Sequence, residues 1–172
     1  MKVNKIVLIL IVTGLCFGCN QKIEKEEPNE FAGLWSLYAM EEQDTATGAW
    51  SQWRNGMQGY ILYDDKDNMS VHLTTKGYQE TDLRFPNFTD SIPDDALKHL
   101  TNSYVYFAKY HVDKEQQVVE HARISHSNPA MWNEVVKRRF TFSGDTLMLQ
   151  PLEQANSGLR LKWIKESGDK EQ

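Results

Sequence analysis

The sequence predicts an all-β fold, an antiparallel barrel or sandwich of about eight or nine short strands with one short helix. Three observations indicate this fold. Apolar or alternating runs are separated by turn clusters roughly every eight to twelve residues. Only one stretch carries helix signals. Aromatic residues make up 11% of the 172 residues, and five of them are tryptophan, which suits a wide apolar interior.

The first 18 residues are predicted to be a signal peptide. Lys2 and Lys5 form a basic start, and residues 6–15 are an apolar run that is short for a bilayer span. Residues 15–19 (LCFGC) then resemble the lipobox of bacterial lipoproteins. This resemblance implies cleavage before Cys19 and fatty acylation of that cysteine, for example with palmitate.

Lipidation would place the protein in the cell envelope, anchored to the outer membrane and facing the periplasm or the surface. An uncleaved anchor or a plain secretory signal is the alternative. Residues 19–30 are predicted to form a flexible tether, residues 31–166 the folded domain and residues 167–172 a charged tail. Since Cys16 leaves with the signal and Cys19 takes the lipid, the domain has no thiol for a disulfide or a metal site.

The charge balance argues against one class of partner. Removal of Lys2 and Lys5 leaves 17 basic and 24 acidic residues, a net charge of −7. An acidic domain without a basic cluster is repelled by phosphate backbones, so nucleic-acid binding is not expected.

The first four predicted strands span residues 31–40, 50–53, 59–63 and 69–74. The first is apolar on both faces, which predicts a well-covered strand. Asn55-Gly56 and the acidic run 64–68 mark turns. The acidic run does not match a calcium-binding EF-hand loop. Counting from Asp65, Ser70 and Lys76 stand where that loop needs its glycine and its glutamate.

A loop and the single helix follow these strands. The loop, residues 76–91, contains Phe85 and Phe88, which would either cover a cavity as a lid or pack onto the core. The helix begins around Pro93-Asp94-Asp95, because proline and acidic residues are favoured in a first helical turn.

The last five predicted strands span residues 104–112, 118–125, 135–142, 147–149 and 159–164. The first four of these read as two hairpins in series. With a four-residue turn at 113–116, Tyr110 would face Val119 and Ala108 would face His121. The face that carries Tyr110 and His121 is the more apolar one and is predicted to be the interior.

The second hairpin turns at Gly144-Asp145 and pairs Phe142 with Leu147. In this register Arg138 points inward and Arg139 points outward. A buried guanidinium costs several kcal/mol unless it is paired. Arg138 therefore meets the polar end of an apolar ligand, packs over an indole, or pairs with a carboxylate at the barrel end.

The five histidines do not form a metal-binding pattern. His111 and His121 project to opposite faces, His126 lies beyond the predicted strand, and His72 and His99 belong to separate elements. No H-x-H or H-E-x-x-H spacing occurs, and neither a G-x-S-x-G motif nor a glycine-rich phosphate loop is present. We expect no metal and no cofactor, and spacing alone leaves a Ser-His-Asp arrangement open.

An ordered series of motifs resembles the lipocalin-like domain family of small bacterial and fungal proteins. The motifs are Gly33-Leu34-Trp35-Ser36-Leu37, Gly59-Tyr60-Ile61-Leu62-Tyr63, Tyr106-Phe107-Ala108-Lys109-Tyr110, Val119-Glu120-His121, Pro129-Ala130-Met131-Trp132, Arg138-Arg139-Phe140 and Gly144-Asp145-Thr146-Leu147. The resemblance implies a closed or nearly closed barrel with a ligand-sized cavity. It also implies that a basic residue of the last strand, Arg160 or Lys162, lies across Trp35. It supplies no catalytic residue.

Three functional hypotheses follow. The first is a membrane-anchored lipoprotein whose cavity binds a small hydrophobic molecule through Tyr106, Tyr110, His121, Trp132 and Arg138, with Arg138 favouring an anionic head group. The second is an isomerase or cyclase for a hydrophobic substrate, with His121 as general acid–base. The third is a structural or interaction lipoprotein with a filled core. The volume of the cavity separates the third from the others.

Overall fold

The computed structural model describes residues 28–82, 91–153 and 158–167. The predicted signal peptide, Cys19 and most of the predicted tether lie outside the described residues. So do Phe85 and Phe88 of the predicted loop, and residues 168–172 of the predicted tail.

The described residues form nine strands and one α-helix. The strands are β1 (Gly33–Gln43), β2 (Trp50–Gln52), β3 (Met57–Tyr63), β4 (Asn68–Thr75), β5 (Tyr104–Asp113), β6 (Val118–His126), β7 (Val135–Ser143), β8 (Thr146–Pro151) and β9 (Leu159–Lys165). The helix is α1 (Asp94–Asn102), and short 3₁₀ turns occur at Tyr78–Glu80 and Pro129–Met131. The predicted all-β class and the predicted helix are confirmed in the described residues.

Eight of the strands close into an antiparallel barrel. Strands β3 to β9 pair in sequence order, and β1 pairs with both β3 and β9, which closes the sheet. The short strand β2 pairs only with the far end of β1. Of the two predicted architectures, the fold is therefore the barrel. A sandwich has open sheet edges, and a closed barrel has none.

Helix α1 closes part of one end of the barrel. It buries Ala96 completely, and His99 Nδ1 lies 3.0 Å from the hydroxyl of Thr75 on β4. Within the described ranges, no helix is both long and apolar enough to cross a membrane.

Aromatic packing fills the opposite end. The ring of Phe31 lies edge-on to the rings of Tyr63, Phe140 and Phe142, with centroid distances of 5.1, 5.0 and 5.1 Å. The indole of Trp35 donates to the carbonyl of Phe31 at 2.8 Å. Burial of each such side chain contributes about 1.5–3 kcal/mol, so this end is a packed core.

Lys165 is the basic residue that covers Trp35, with its Nζ 5.1 Å from the ring centroid. The resemblance had implied Arg160 or Lys162, and this expectation is wrong. The register explains the difference, because Lys165 lies directly opposite Trp35. Arg160 lies opposite Glu41, and both Arg160 and Lys162 form ion pairs with that carboxylate.

The pairing of β5 with β6 differs from the predicted register by two residues. Tyr110 pairs with His121 rather than with Val119, and the turn residues are 114–117. A shift of two residues preserves the face of every side chain. Tyr110 and His121 are therefore buried and His111 is exposed, as predicted. The predicted pairing of β7 with β8 is confirmed, with Phe142 opposite Leu147.

Candidate functional site

A cavity of about 260 Å³ lies inside the barrel, next to the C-terminal end of α1. Most of its wall is apolar and comes from β3, β4, β8 and β9. Residues of this apolar wall include Met57, Ile61, Val71, Leu73, Leu149 and Leu161. The polar wall comes from β5, β6 and β7 and contains Tyr104, Tyr106, His121 and Arg138. The predicted site residues Tyr106, His121 and Arg138 thus lie together on one side of the cavity.

A larger, open groove of about 870 Å³ runs along the outside of β1, where that strand separates from β3. Tyr38, Lys76 and Glu166 are among its lining residues. It contains none of the predicted site residues, so we assign the candidate site to the interior cavity. Met40 and Met57 line both spaces.

His121 is the centre of a buried hydrogen-bond chain. It is 1% exposed, its Nε2 lies 3.0 Å from the hydroxyl of Tyr63, and its Nδ1 lies 2.8 Å from the hydroxyl of Tyr106. Burial lowers the pKa of His121 from 6.5 to about 3, and the charges of Arg138 and Arg123 add to this effect. The imidazole is therefore neutral at physiological pH.

The two tyrosines in this chain also remain neutral. Burial raises the pKa of Tyr63 and the pKa of Tyr106 above the usual value of a phenol. Each nitrogen of His121 is already engaged by one of these hydroxyls. Tyr106 and Arg138 are therefore among the groups of this wall that can turn a hydrogen-bond donor toward a ligand.

Arg138 lies in the cavity wall and is paired with a carboxylate. Its Nη1 lies 2.8 and 2.6 Å from the two carboxylate oxygens of Glu153, and its side chain is 12% exposed. Burial alone would raise the pKa of Glu153. The charge of Arg138 and the hydrogen bonds outweigh burial, so that pKa is lowered. Of the three partners that the sequence analysis considered for Arg138, the structure shows the carboxylate, and it is that of Glu153. Arg138 nevertheless lines the cavity.

Sequence reasoning missed a second buried arginine, Arg123. Its side chain is 3% exposed, its Nη1 lies 3.0 Å from a carboxylate oxygen of Glu134, and its Nη2 donates to the hydroxyl of Tyr104. Its guanidinium lies 5.1 Å above the ring of Tyr106. Arg123 therefore holds two aromatic residues of the polar wall in place. Its position two residues after the inward His121 on β6 was the signal that could have found it.

His126 is a second omission, and its predicted position beyond the strand is wrong. It is the last residue of β6 and is buried, and its ring is stacked on Tyr106 with centroids 5.7 Å apart. A bulge between the pairs Ala108–Arg123 and Phe107–Ser125 makes Ile124 an extra residue and turns His126 inward. Simple alternation along the strand could not reveal this.

Tyr110 and Trp132, two of the predicted ligand-binding residues, do not line the cavity. The hydroxyl of Tyr110 accepts from Asn29 at 2.6 Å and donates to the carbonyl of Asp64 at 2.7 Å, at the packed end of the barrel. Trp132 is half exposed, and its indole donates to the carbonyl of His126 at 2.6 Å. Both residues have structural partners away from the cavity.

The described residues contain no candidate metal site. No cluster of three or more His, Cys, Asp or Glu side chains there could hold an ion. The acidic turn between β3 and β4 is stabilised internally, because Asp64 Oδ1 accepts the backbone N–H groups of Lys66 and Asn68, each at 2.9 Å.

Comparison with known proteins identifies a family and a distant structural likeness. The model of a family described as a lipocalin-like domain matches residues 32–165, a range that contains all nine strands. A solved structure described as a redesigned beta barrel is similar at a TM-score of 0.40 and 12% identity, over 80% of this chain and 92% of that chain. No curated protein matches the chain.

Proposed function

Because this chain belongs to the lipocalin-like domain family, we propose that its barrel binds a small, largely apolar molecule that carries one anionic or hydrogen-bond-accepting group. We further propose that the protein is held at a membrane by lipid on Cys19. The observation that carries the binding proposal is the interior cavity, which combines an apolar wall with Tyr106 and Arg138 on the opposite side.

The size of the cavity limits the ligand. An apolar cavity of about 150 Å³ is large enough to hold a benzene molecule. The cavity here is about 260 Å³ and lies just below the usual range of about 300–1,000 Å³ for small-molecule sites. A single ring with a polar substituent, or a short chain, fits this space.

The polarity of the wall favours an acceptor on the ligand. Tyr106 can donate an O–H, and Arg138 carries a positive charge and donor groups only. A carboxylate or carbonyl oxygen complements these groups, whereas an ammonium group would face the guanidinium. Because Glu153 already neutralises much of the charge of Arg138, a neutral carbonyl is also compatible.

Two observations support binding over the alternative functions. A cavity beside His121 and Arg138 is at odds with a filled core around these residues. General acid–base catalysis by His121 would need a nitrogen that reaches the substrate, and both nitrogens are within 3.0 Å of tyrosine hydroxyls.

A matched set of three probes tests the binding proposal. Benzoate, toluene and benzylamine share one ring and differ in the charge of their substituent. Titration of the mature protein, followed by ¹H–¹⁵N spectra, should show benzoate binding most tightly and benzylamine most weakly, with shifts at Tyr106 and His121. Arg138→Met should reduce the preference for benzoate over toluene.

Arg139→Met is the matched control, because Arg139 is the neighbouring residue on β7 and points outward into solvent. It should leave all three affinities unchanged. Binding of none of the probes inside the barrel, or equal binding of benzoate and benzylamine, would rule out the proposed ligand class.

The membrane anchor rests on the sequence at residues 15–19 and has its own experiment. Cells given a radiolabelled or alkynyl fatty acid should incorporate it into the full-length chain, and the protein should fractionate with membranes. Cys19→Ala should abolish both. Cys16→Ala serves as the control and should retain labelling, and equal labelling of the Cys19→Ala variant would refute acylation at that residue.

A further inference from the structure

Tyr63 does not line the cavity, yet it is linked to it through His121. Its hydroxyl lies 3.0 Å from Nε2 of His121, and Nδ1 of the same ring lies 2.8 Å from the hydroxyl of Tyr106 in the cavity wall. The three side chains therefore form one chain of hydrogen bonds that leads from the packed end of the barrel to the ligand site.

The hydrogen bonds that join Tyr63, His121 and Tyr106 can be arranged in two ways, which differ in the nitrogen of His121 that carries the hydrogen. A neutral imidazole has one N–H donor and one acceptor nitrogen. If Nδ1 carries the hydrogen, His121 donates to Tyr106, Tyr63 donates to Nε2, and the O–H of Tyr106 is left over. If Nε2 carries it, His121 donates to Tyr63, Tyr106 donates to Nδ1, and the O–H of Tyr63 is left over.

The surroundings of the two phenols are unequal and select the first arrangement. Tyr63 is 1% exposed, and its ring packs edge-on against Phe31 and Tyr110 at 5.1 and 5.0 Å. Its hydroxyl has no second partner among the residues that the structure describes. A hydrogen left over on Tyr63 would be buried without an acceptor, which is costly. A hydrogen left over on Tyr106 borders the cavity, where a ligand oxygen or a water can accept it.

We infer that Tyr63 sets the hydrogen-bond polarity of the cavity, by holding His121 as the Nδ1–H tautomer so that Tyr106 presents a donor to the ligand. The inference rests on the proposed function and deepens it. The ligand class becomes carboxylates and carbonyl compounds, whose oxygen accepts from Tyr106. A ligand group that can only donate finds no acceptor at Tyr106, since the oxygen of that phenol already accepts from His121. Tyr63 is thus a positioning residue that acts through His121.

Arg138 supports the same choice of ligand. Its charge opposes the effect of burial on the pKa of Tyr106 and is the largest electrostatic influence on that phenol. A ligand oxygen that accepts from Tyr106 therefore also lies in the field of the guanidinium.

The tautomer can be read directly. Long-range ¹H–¹⁵N correlation spectra of the histidine-labelled mature protein at neutral pH distinguish a protonated Nδ1 from a protonated Nε2. The resonances of His121 are assigned by their loss in His121→Gln. We expect Nδ1–H in the protein without ligand and with benzoate, the opposite of the tautomer that predominates for free histidine in water. A protonated Nε2 in the wild-type protein would overturn the inference.

Substitution of Tyr63 tests the link to affinity. Tyr63→Phe leaves Nε2 without a partner in either tautomer, so the selection for Nδ1–H is lost. The Nε2–H tautomer that predominates for free histidine should then become populated, and in that tautomer Tyr106 donates to Nδ1. Benzoate affinity should then fall about tenfold, while toluene affinity stays unchanged. Tyr60→Phe, on the same strand but with its phenol exposed, should change neither the tautomer nor the affinities.

The outcomes separate the inference from the proposed function. If wild-type protein binds benzoate but Tyr63→Phe changes neither tautomer nor affinity, the inference fails and the proposed function stands. If no probe binds, the proposed function fails, and the tautomer of the wild-type protein still decides the order of the hydrogen bonds. If the Tyr63→Phe variant does not fold, the tautomer of His121 in the wild-type protein still tests the inference.

Discussion

Glu153 follows the end of β8 and holds Arg138, with Nη1 lying 2.8 and 2.6 Å from its two carboxylate oxygens. The pair explains how an arginine can stand in the wall of an apolar cavity. It also means that a ligand carboxylate must share a guanidinium that already has an anion. Glu153 therefore sets how strongly the cavity attracts negative charge.

Glu153→Gln should raise benzoate affinity several-fold, because the guanidinium then lacks its internal anion. The same change should lower the free energy of unfolding by about 1–2 kcal/mol, since the side chain of Arg138 is largely buried. Calorimetric titration and urea denaturation measure the two effects. Glu120→Gln, which removes a surface ion pair with Lys137, should change neither by more than a small amount. Unchanged or weaker benzoate binding in Glu153→Gln would show that the internal anion does not compete with the ligand.

His121 should make the protein less stable as the pH falls below neutrality. Its pKa is about 3 in the folded protein and near 6.5 in the unfolded chain, so the unfolded state binds more protons between these values. The free energy of unfolding contributed by His121 is fully present above pH 6.5. It decreases by about 1.4 kcal/mol per pH unit as the pH falls toward 3.

Urea denaturation between pH 7 and pH 4.5 measures this slope. His121→Gln keeps hydrogen-bonding capacity but cannot titrate, so its stability should depend less on pH than that of the wild type. His111→Gln removes an exposed histidine and should retain the wild-type slope. Parallel pH profiles for wild type and His121→Gln would contradict a neutral, buried His121.

Alternation along the strands carried most of the information about this site. It placed His121 and Arg138 inside and His111 and Arg139 outside. The faces of His111 and His121 remained correct despite the error in the β5–β6 register, because that error was two residues, an even number. The same alternation also predicts that Arg123, two residues after His121, points inward.

The remaining features depend on tertiary structure. The bulge at Ile124 that turns His126 inward has no clear mark in the local sequence. Which cation covers Trp35 depends on the register between β1 and β9, two strands at opposite ends of the domain sequence. The partner of Arg138 lies beyond a turn and a strand, so the sequence could name the kind of partner but not Glu153.

Tyr106 and Tyr110 were both predicted to bind ligand, but of the two only Tyr106 lines the cavity. Tyr106→Phe should weaken benzoate binding about fivefold to tenfold, because it removes the donor that faces the cavity. Tyr110→Phe should leave benzoate affinity unchanged and lower stability by about 1–2 kcal/mol, since its hydroxyl bonds to Asn29 and Asp64 instead. Titration and denaturation of both variants test this division. A loss of benzoate affinity in Tyr110→Phe would place that residue in the binding site after all.

Gly59 is the backbone position at which the barrel should tolerate a side chain least. It lies in β3 at a φ of +142°, and an added Cβ would lie 1.9 Å from the carbonyl oxygen of His72 on the paired strand β4. Gly59→Ala must therefore separate two barrel strands next to Ile61 in the cavity wall, and we expect a loss of about 3 kcal/mol or more.

Gly144→Ala provides the contrast, because Gly144 also has a positive φ, of +57°, but no atom lies within 4 Å of an added Cβ. Its cost should be about 1 kcal/mol, the ordinary penalty of a left-handed conformation for alanine. Thermal and urea denaturation of the two variants compare steric overlap with conformational strain alone. Equal destabilisation by the two substitutions would mean that β3 and β4 do not approach each other closely at Gly59.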